Sequence, residues 1–452
     1  MALEGNTQTI PENILLIIAD DMSAYMMGCA GSSFYHTPNL DRLAKKGIRF
    51  TQAYGTGPVC SPSRASLLTG KHPARLHLTN YTPGSVPENP FLLTPDWTPY
   101  LPESETTLAN RFEGAGYATG HFGKWHLNRD YQHYPGRPKD PETQGFQEVF
   151  TTVKPKPDSN PSADPHNAAV ITDHALRFIE THREKPFFCV VEHNLIHRPE
   201  IEAPERIAKY RKKPGATFDY QRPALGAMVE RLDESIGKMI DKLEDLDLAK
   251  KTWLIFTADH GTPGDQDSKR PLHGAKASLY EGGIRVPLLV SRPETIPAGL
   301  LSDVPVTGAD LAVTMASILP EVKAESLEDG VDFSPILRGE RNGFPERSLF
   351  WHFPHYHHQG IAPCGAIRRG QFKLIEWFEP SARGEPLEVS CELYDLQHDP
   401  GETRNLGSSQ TRLAEQLLHE LDGWRKSVGA QSMSVNPDYN PHQPTRMSSP
   451  GH

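Results

Sequence analysis

Four segments built around short apolar runs constrain the fold most strongly. They are NILLIIADD (13–21), PFFCVVEHN (186–194), KTWLIFTADHG (251–261) and RVPLLVSRP (285–293). Runs of this kind are typical of strands buried on both faces, as in a parallel sheet covered by helices. Helical patterns separate them, the longest over residues 223–248. The alternation predicts an α/β fold with a large, mostly parallel sheet sandwiched by helices.

The pattern changes near residue 345. AIRRGQFKLIEWF and CELYDLQHDPGE have the character of antiparallel strands, and TRLAEQLLHELDGWRKSV has that of a helix. A chain of 452 residues is also too long for one small core. We therefore predict a large domain over residues 1–344, a smaller C-terminal α+β subdomain carrying an antiparallel sheet over 345–430, and an extended surface tail over 431–452.

Composition argues against several classes of protein. The formal net charge of −10 disfavours a general nucleic-acid binder. The five cysteines are scattered without a CxxC pair, so neither a disulfide framework nor a thiolate zinc site is expected. No apolar run is long enough to predict a membrane span. The stretch MALEGNTQTIPEN lacks a signal-peptide pattern, which leaves open a cytoplasmic protein or one whose signal has been removed.

Two of the predicted strands end on residue types that bind metals. Asp20 and Asp21 end the first, and Asp259 and His260 end the segment KTWLIFTADHG. Open α/β sheets bind ligands at the carboxyl ends of their strands, and carboxylate oxygens suit Ca²⁺ or Mg²⁺. One such pair alone is more often a helix cap or a solvated loop. Two pairs on separate core strands favour a metal site, although an imidazole is less typical of calcium.

Basic side chains lie at the ends of the same kind of strand. Lys124 and His126 in GKWH and His197 in NLIHRP come just past buried strands. A Gly-rich loop before a strand, HGAKASLYEGGIRVP, offers His273, Lys276 and Arg285. Each one alone is typical of a surface lysine or a structural histidine, but their shared position at strand ends favours a functional cluster.

Cys60 stands beside a predicted helix entrance. Pro62 suits the first turn of a helix, which places Cys60 at or just outside its N-terminus. The helix N-terminus and Arg64 would both stabilise an anion there, either a thiolate or a bound oxyanion. The alternative is a small buried hydrophobe, as most free cysteines are. The residues alone therefore indicate a metal-assisted site for an anionic ester, with Cys60 as a candidate nucleophile.

The motifs taken together resemble the type I sulfatases of the alkaline phosphatase superfamily. CSPSRASLLTG (60–70) matches that family's signature, whose core is Cys-x-Pro-x-Arg, and GYATGHFGKWHLN (116–128) matches the second signature. ADD, TADHG and KASLYEGGIRVP follow in the family's order. The resemblance covers roughly the whole chain from Asn13 to the C-terminal helix. It implies an alkaline phosphatase-like fold and a sulfatase catalytic domain over residues 1–344.

The resemblance also implies a modified nucleophile. A formylglycine-generating enzyme or an anaerobic sulfatase-maturating enzyme would oxidise Cys60 to formylglycine (3-oxoalanine), whose hydrate is a geminal diol. One hydroxyl would attack sulfur, and the other would later lose its proton and expel sulfate. A serine in the same place would remain as a stable sulfate ester, whereas the diol has its own exit route.

Site residues are implied position by position. The calcium ligands would be Asp20, Asp21, residue 60, Asp259 and His260, with Mg²⁺ less favoured; the family often has Asn where His260 stands.

The remaining positions would act on the diol and the ester. Arg64 would hold a hydroxyl of residue 60, and Lys124 and Lys276 would neutralise the sulfate oxygens. His126 would hold the diol and help the intermediate collapse, and His197 would protonate the leaving alcohol.

The rest of the substrate is assigned to a second set of residues. WHFPHYHHQG (351–360) is rich in aromatic residues and histidine, and could line a sugar subsite; the alternative is an exposed loop. The substrate-binding candidates are His352, His355, His357, His358, Arg368, and His77 in ARLHLTNYTPG (74–84). Residues 352–402 resemble bacterial sulfatases grouped with those acting on sulfated galactose or N-acetylgalactosamine. The expected partner is therefore a sulfated oligosaccharide or polysaccharide, attacked at chain ends, and the family implies a periplasmic or secreted enzyme.

Three rival functions remain open from sequence. A phosphodiesterase or phosphonate monoester hydrolase of the same superfamily could share the metal site and the modified cysteine. A cysteine-thiolate phosphatase fits less well, because its usual loop places more residues between Cys and Arg. A non-catalytic protein that binds sulfated glycans is the alternative from another class, and the full set of catalytic positions argues against it.

Overall fold

The structure is a computed structural model that describes residues 12–216, 218–267, 271–324, 327–340, 344–359 and 361–447. Residues 1–11, on which the signal-peptide expectation depends, and the last five residues of the predicted tail lie outside this set. In chain order the strands are β1 (Asn13–Ala19), β2 (Ile48–Tyr54), β3 (Pro87–Glu88), β4 (Leu92–Leu93), β5 (Ala118–Gly123), β6 (Glu148–Thr151), β7 (Phe187–Glu192), β8 (Thr252–Ala258), β9 (Arg285–Ser291), β10 (Leu300–Ser302), β11 (Val306–Thr307), β12 (Ser348–Phe353), β13 (Cys364–Arg369), β14 (Phe372–Trp377), β15 (Cys391–Asp395), β16 (Ser434–Val435) and β17 (Arg446–Met447).

The α-helices alternate with the strands over most of the chain. They are α1 (Pro38–Lys46), α2 (Cys60–Thr69), α3 (Pro73–Leu76), α4 (Leu108–Gly114), α5 (Ala168–Thr181), α6 (Pro204–Arg211), α7 (Pro223–Asp245), α8 (Glu281–Ile284), α9 (Gly308–Ser317), α10 (Ser334–Leu337), α11 (Phe378–Ala382), α12 (Leu387–Ser390) and α13 (Thr411–Ser427). Short 3₁₀ turns lie at Gly28–Ala30, Pro141–Gln144, Asp219–Gln221 and Ala249–Lys251.

The main sheet has the strand order β10-β2-β9-β8-β1-β7-β5-β6, with β11 also paired to β2. All of these pairings are parallel except the two made by β9, which runs against β2 and β8. Every residue of β1 is buried, as expected for a central strand with a neighbour on each side and helices on the faces. The predicted mostly parallel α/β sheet is therefore confirmed.

Register brings the strand ends together. Ala19 lies opposite Ala258 in the β1–β8 pairing, so the residues that follow both strands leave the sheet at the same level. On the other side of β1, Glu192 of β7 lies level with Ile18 and with Gly123 of β5. The last residues of four neighbouring strands, β8, β1, β7 and β5, therefore lie at one edge of the sheet.

Helices that pack on the sheet supply the other half of the core. Helix α7 buries residues at helical spacing, among them Leu225, Met228, Leu232, Ile236, Met239, Ile240 and Leu243, and it contacts α1, α5 and α6. Helix α5 packs on β5 and β7, and α4 packs on the same two strands. No helix in the described part of the chain is both long and apolar enough to cross a bilayer.

The C-terminal part forms the predicted antiparallel sheet, in the order β12-β13-β14-β15, and α13 packs on β13 and β14. Trp351 of β12 is fully buried and fixes this sheet to the main one. Its Nε1 donates to the Gly55 carbonyl at 2.8 Å, and its ring lies 5.5 Å from that of Tyr54. The sheet lies within residues 345–430, whose limits remain a prediction.

The tail crosses the loop between α3 and α4. Strand β16 pairs with β4, and β17 pairs with β3. Asn436 donates its backbone N–H to the Phe91 carbonyl at 2.9 Å, and its side chain donates to the Pro90 carbonyl at 2.8 Å. The tail therefore holds residues 87–93 in place by backbone pairing.

Candidate active site

The two predicted acidic pairs meet at the carboxyl edge of the sheet. The Asp21 backbone N–H donates to Asp259 Oδ1 at 3.1 Å, and His260 Nε2 lies 3.4 Å from Asp21 Oδ1. Candidate ligand atoms of Asp20, Cys60, Asp259 and His260 all lie within 4.8 Å of one another. Asp20, Asp21, Cys60 and His197 form a second such group. The sequence placed these side chains at strand ends, and the structure brings them together.

The chemistry of this cluster fits a divalent ion. Asp20, Asp21, Asp259 and His260 are each fully buried, and anionic carboxylates at such depth need compensating cations. In the described part of the chain, Asp21 Oδ2 is a buried oxygen without a hydrogen-bond partner. Several carboxylate oxygens around one point suit Ca²⁺ or Mg²⁺.

Cys60 is the first residue of α2 and is 2% exposed. Its Sγ lies 3.2 Å from His260 Nε2 and 3.5 Å from Lys276 Nζ, and it donates to Asp20 Oδ1 at 3.7 Å. Burial acts to raise the pKa of the Cys60 thiol, but Lys124, Lys276 and His260 outweigh it and hold the pKa well below its ordinary value. Position 60 is therefore a place where the protein stabilises an anion.

Arg64 lies one turn after Cys60 on the same helix and is fully buried. Its Nε donates to Asp259 Oδ2 at 3.1 Å, its Nη2 lies 3.4 Å from Asp20 Oδ1, and its Nη1 pairs with Glu192. The one guanidinium thus ties α2 to the ends of β1, β7 and β8.

Glu192 is a site residue that sequence reasoning missed. It is 1% exposed, and burial raises its pKa to about 7 against the opposing charge of Arg64. The available signal was an acid at the end of the otherwise apolar run PFFCVVE. An acid in that place needs a buried cation as a partner.

Two lysines that are far apart in the sequence contact the acidic cluster. Lys124 Nζ donates to Asp20 Oδ2 at 2.6 Å, and Lys276 Nζ donates to Asp21 Oδ1 at 2.7 Å. Burial acts to lower the pKa of each ammonium, but neighbouring carboxylates outweigh it and raise both. Both lysines are therefore charged, close to Cys60 and buried from water.

Close backbone approach places these lysines. Gly123, just before Lys124, has φ +118°, and a Cβ there would lie 1.9 Å from the Glu192 carbonyl oxygen. Gly282, in the short helix α8 that follows the Lys276 loop, leaves no room for a Cβ, which would lie 2.2 Å from the Gly274 carbonyl oxygen. Packing therefore requires glycine at both positions, and the positive φ of Gly123 favours glycine there for a second reason.

His126 and His197 occupy two further sides of the centre. The chain turns at His126, where φ is +58°. His126 Nε2 donates to the Thr82 carbonyl at 2.7 Å, and burial, with the charge of Lys124, lowers the pKa of His126 to about 4. His197 Nε2 lies 3.8 Å from Asp21 Oδ2, and the side chain is 15% exposed.

The predicted substrate-binding residues are spread over several contacts. His352 contacts the tail at the Gln431 carbonyl at 2.8 Å, and His77 contacts the Gly429 carbonyl, just before the tail, at 3.0 Å. His355 bonds to Thr79 at 2.8 Å, and Arg368 contacts Tyr54 and Gln52. The structure does not gather these four around Cys60.

His357 and His358 lie nearer to the centre. Their rings are 4.1 Å apart, and that of His357 is 5.4 Å from Tyr81. Burial lowers the pKa of His357, and Lys276 and Cys60 are among the charges that act on it. Residues 357–358 and 81 therefore border the catalytic cluster.

Fold and site together define a hydrolase of the alkaline phosphatase superfamily: a mostly parallel sheet whose strand ends bring the carboxylates of a candidate metal site beside a buried cysteine. Comparison with known proteins narrows this class. The family model described as Sulfatase matches residues 12–321, and the model described as N-sulphoglucosamine sulphohydrolase, C-terminal, matches residues 273–427. The chain belongs to the sulfatase family and is a sulfuric ester hydrolase.

Individual relatives agree with this assignment. Human arylsulfatase A is 29% identical, with 91% of this chain and 86% of that protein covered. N-acetylgalactosamine-6-sulfatase of the dog (Canis lupus familiaris) is 30% identical, with 81% and 72% covered. A solved structure from a study of glycosaminoglycan metabolism by Bacteroides thetaiotaomicron has a TM-score of 0.73 at 23% identity, and the match covers 92% of this chain and all of that one. Sulfatases generally use a metal ion and a formylglycine, and the clustered ligand atoms give this chain a candidate metal site.

Proposed function

We propose that the protein removes sulfate from a carbohydrate through a formylglycine geminal diol made from Cys60. The observation that carries the proposal is the setting of residue 60. It lies at the first turn of α2, with His260 Nε2 at 3.2 Å and Lys276 Nζ at 3.5 Å from its Sγ, and Arg64 one turn along. A charged ester and an oxygen nucleophile can meet here out of water.

A Ca²⁺ ion would be held by Asp20, Asp21, Asp259, His260 and an oxygen of residue 60. When bound, the ion would supply Lewis-acid charge at the reacting oxygens.

Attack would exchange one bond at sulfur for another. One hydroxyl of residue 60 would give its proton to the Asp259 carboxylate, whose ligand atom lies within 4.8 Å of that of residue 60. Its oxygen would then form a bond to sulfur as the bond from sulfur to the sugar oxygen breaks. Lys124 and Lys276 present ammonium groups to the sulfate oxygens, where charge accumulates. His197 donates Nδ1–H to the Arg198 carbonyl at 2.5 Å, so it acts as an acid in its imidazolium form, which gives the Nε2 proton to the leaving sugar oxygen.

Release would use the second hydroxyl. His126 donates Nε2–H to Thr82, and its lowered pKa keeps the ring neutral at neutral pH, so Nδ1 carries a lone pair. It takes the proton of the second hydroxyl, the carbon–oxygen bond to sulfate breaks, and the aldehyde returns. Arg64, held by Asp20, Asp259 and Glu192, fixes α2 and so the direction of residue 60.

Maturation would have to precede folding. Cys60 is 2% exposed, Ser63 1% and Arg64 0%, so a maturation enzyme that reads Cys-x-Pro-x-Arg has no access to it in the folded protein. The conversion replaces CH₂–SH by CHO with loss of sulfur, and the maturation enzyme supplies the oxidant. The proposed location is the periplasm or outside the cell, where polymeric substrates are found.

The substrate class rests on relatives and on the rim of the site. The N-acetylgalactosamine-6-sulfatase match supports a sulfated galactose or N-acetylgalactosamine unit, reached at a chain end. Tyr81, His357 and His358 supply the rings and hydrogen-bonding groups that sugar subsites use.

Mass spectrometry of the peptide spanning residues 58–75 tests the nucleophile. We expect the mass of formylglycine in place of cysteine, together with hydrolysis of an aryl sulfate at a higher kcat/KM than the matched phosphate mono- and diesters. The Cys60→Ser variant should bind substrate but turn over little. An unmodified cysteine in fully active enzyme would refute the mechanism, and preference for phosphate esters would refute the assigned reaction.

A further inference from the structure

We propose that the mouth of the active site holds a second anion subsite centred on Lys154, which accepts a further negatively charged substituent of the sugar substrate. This inference rests on the proposed function and names a narrower class of substrate, sugars with a second sulfate or a neighbouring uronate carboxylate.

Backbone contacts hold Lys154 near the catalytic edge. It follows β6, the neighbour of β5, whose end carries Lys124. The Thr152 N–H donates to the Gly123 carbonyl at 2.9 Å, and Asn194 Nδ2 donates to Thr152 Oγ1 at 2.6 Å. The chain therefore leaves the sheet beside Lys124, and Lys154 lies two residues further on, followed by the buried Pro155.

Lys154 differs from the catalytic lysines in its partners. Lys124 and Lys276 each pair with a carboxylate within 2.7 Å. Lys154 is half-buried, and it forms no ion pair or hydrogen bond with a side chain among residues 12–447 where they are described. Lys154 is therefore repelled by two other ammonium groups and has no carboxylate partner of its own. A bound anion would offset this repulsion.

The charges that act on Lys154 belong to the active-site cluster. Burial lowers its pKa, Lys124 and Lys276 lower it further, and Cys60 and Asp20 oppose them. The same lysines and Cys60 act on Tyr131, whose pKa is raised to about 12, chiefly by burial. A charge and an aromatic ring therefore border the same mouth.

Tyr131 offers a surface for the sugar itself. Its side chain is 39% exposed, and its ring lies 4.9 Å from that of His126 at 31°. A sugar stacked on the open face would lie beside His126, which contacts residue 60. A second anionic group on that sugar, or on the next one, would then be within the field of Lys154.

Lys154 could instead bind the reacting sulfate, and substrate choice separates the two roles. Lys154→Met is compared with Lys156→Met, an exposed lysine on the same segment. Each is assayed on four compounds: an aryl sulfate, a monosulfated hexosamine, its disulfated analogue, and a monosulfated disaccharide with an adjacent uronate. Wild-type turnover of the aryl sulfate shows separately whether the proposed function holds.

We expect Lys154→Met to lower kcat/KM about 10- to 100-fold, mainly through KM, on one or both doubly anionic compounds. The affected compound identifies sulfate or carboxylate as the group bound. The aryl sulfate and the monosulfated sugar should stay within about twofold, as should Lys156→Met on all four. Equal loss on all four compounds would assign Lys154 to the reacting sulfate and overturn the subsite, as would no loss on any. Titration of the same sugars into Cys60→Ser, with and without Lys154→Met, measures the effect on Kd directly.

Discussion

Replacement of Lys373 should destabilise the junction between the two sheets. Lys373 Nζ donates to Glu281 Oε1 at 3.0 Å and to Glu402 Oε1 at 2.8 Å, and all three residues are fully buried. Glu402 also accepts the Glu281 backbone N–H at 2.7 Å. Lys373→Met leaves two carboxylates in a dry site without the cation between them.

The expected loss is about 3–5 kcal/mol of unfolding free energy, the usual cost of removing one partner of a buried ion pair. Glu281 retains Arg285 at 3.4 Å and the Tyr54 hydroxyl at 2.8 Å. In the described part of the chain, Glu402 retains no other cation. The penalty should therefore fall mainly on Glu402, and Lys373→Met/Glu402→Gln should be more stable than Lys373→Met alone.

Guanidinium unfolding followed by tryptophan fluorescence would measure this, with Glu402→Gln as the single control. The pH dependence has a definite sign. Burial and the charge of Glu281 raise the pKa of Glu402, and loss of Lys373 raises it further. The folded state then holds a proton that the unfolded state releases, so Lys373→Met should approach the wild type as pH falls from 8 to 5. A loss of unfolding free energy below about 1 kcal/mol, or a double variant less stable than Lys373→Met, would refute the reasoning.

Three further predictions concern catalysis and stability. Lys124→Ala and Lys276→Ala should each lower kcat about 10²- to 10³-fold with a smaller change in KM; unchanged kcat in both would remove their assigned role. A calcium chelator should lower both activity and melting temperature, because bound metal stabilises the folded state, and calcium should restore them better than magnesium; a melting temperature indifferent to both treatments would argue against the metal site. Burial lowers the pKa of His72 to about 4 and of His352 and His355 to about 3. On acidification the unfolded state therefore takes up protons first, and the free energy of unfolding should fall as pH drops from about 6.5 toward 4. His355→Gln should reduce this dependence of the unfolding free energy on pH, and an unchanged dependence would contradict the prediction.

Much of the fold and of the candidate active site could be predicted from the sequence, because the informative residues are local. A short apolar run such as NILLIIA, rich in β-branched residues, favours a buried strand, and an acid directly after such a strand lies at the edge of the sheet. Cys60 and Arg64 are four apart on one helix, so their proximity follows from helical geometry. The expected antiparallel C-terminal sheet was local at β13 and β14, which only the two residues Gly370 and Gln371 separate.

The residues that sequence reasoning missed or could not place depend on contacts between distant segments. Glu192 became a site residue only when the β1–β7 register set it beside Arg64. Arg368 and His352 were predicted to bind the sugar. In the fold, Arg368 contacts Tyr54, and His352 contacts the tail at Gln431. Lys154 belongs to no motif, and its significance comes from a backbone bond between Thr152 and Gly123. The sequence thus determined which strands are buried and which residues follow them, because apolar runs and helical spacing are short-range properties. Only the tertiary structure decided which charged side chains meet, because strand order and register depend on pairing between segments such as β1 and β7, which are more than a hundred residues apart.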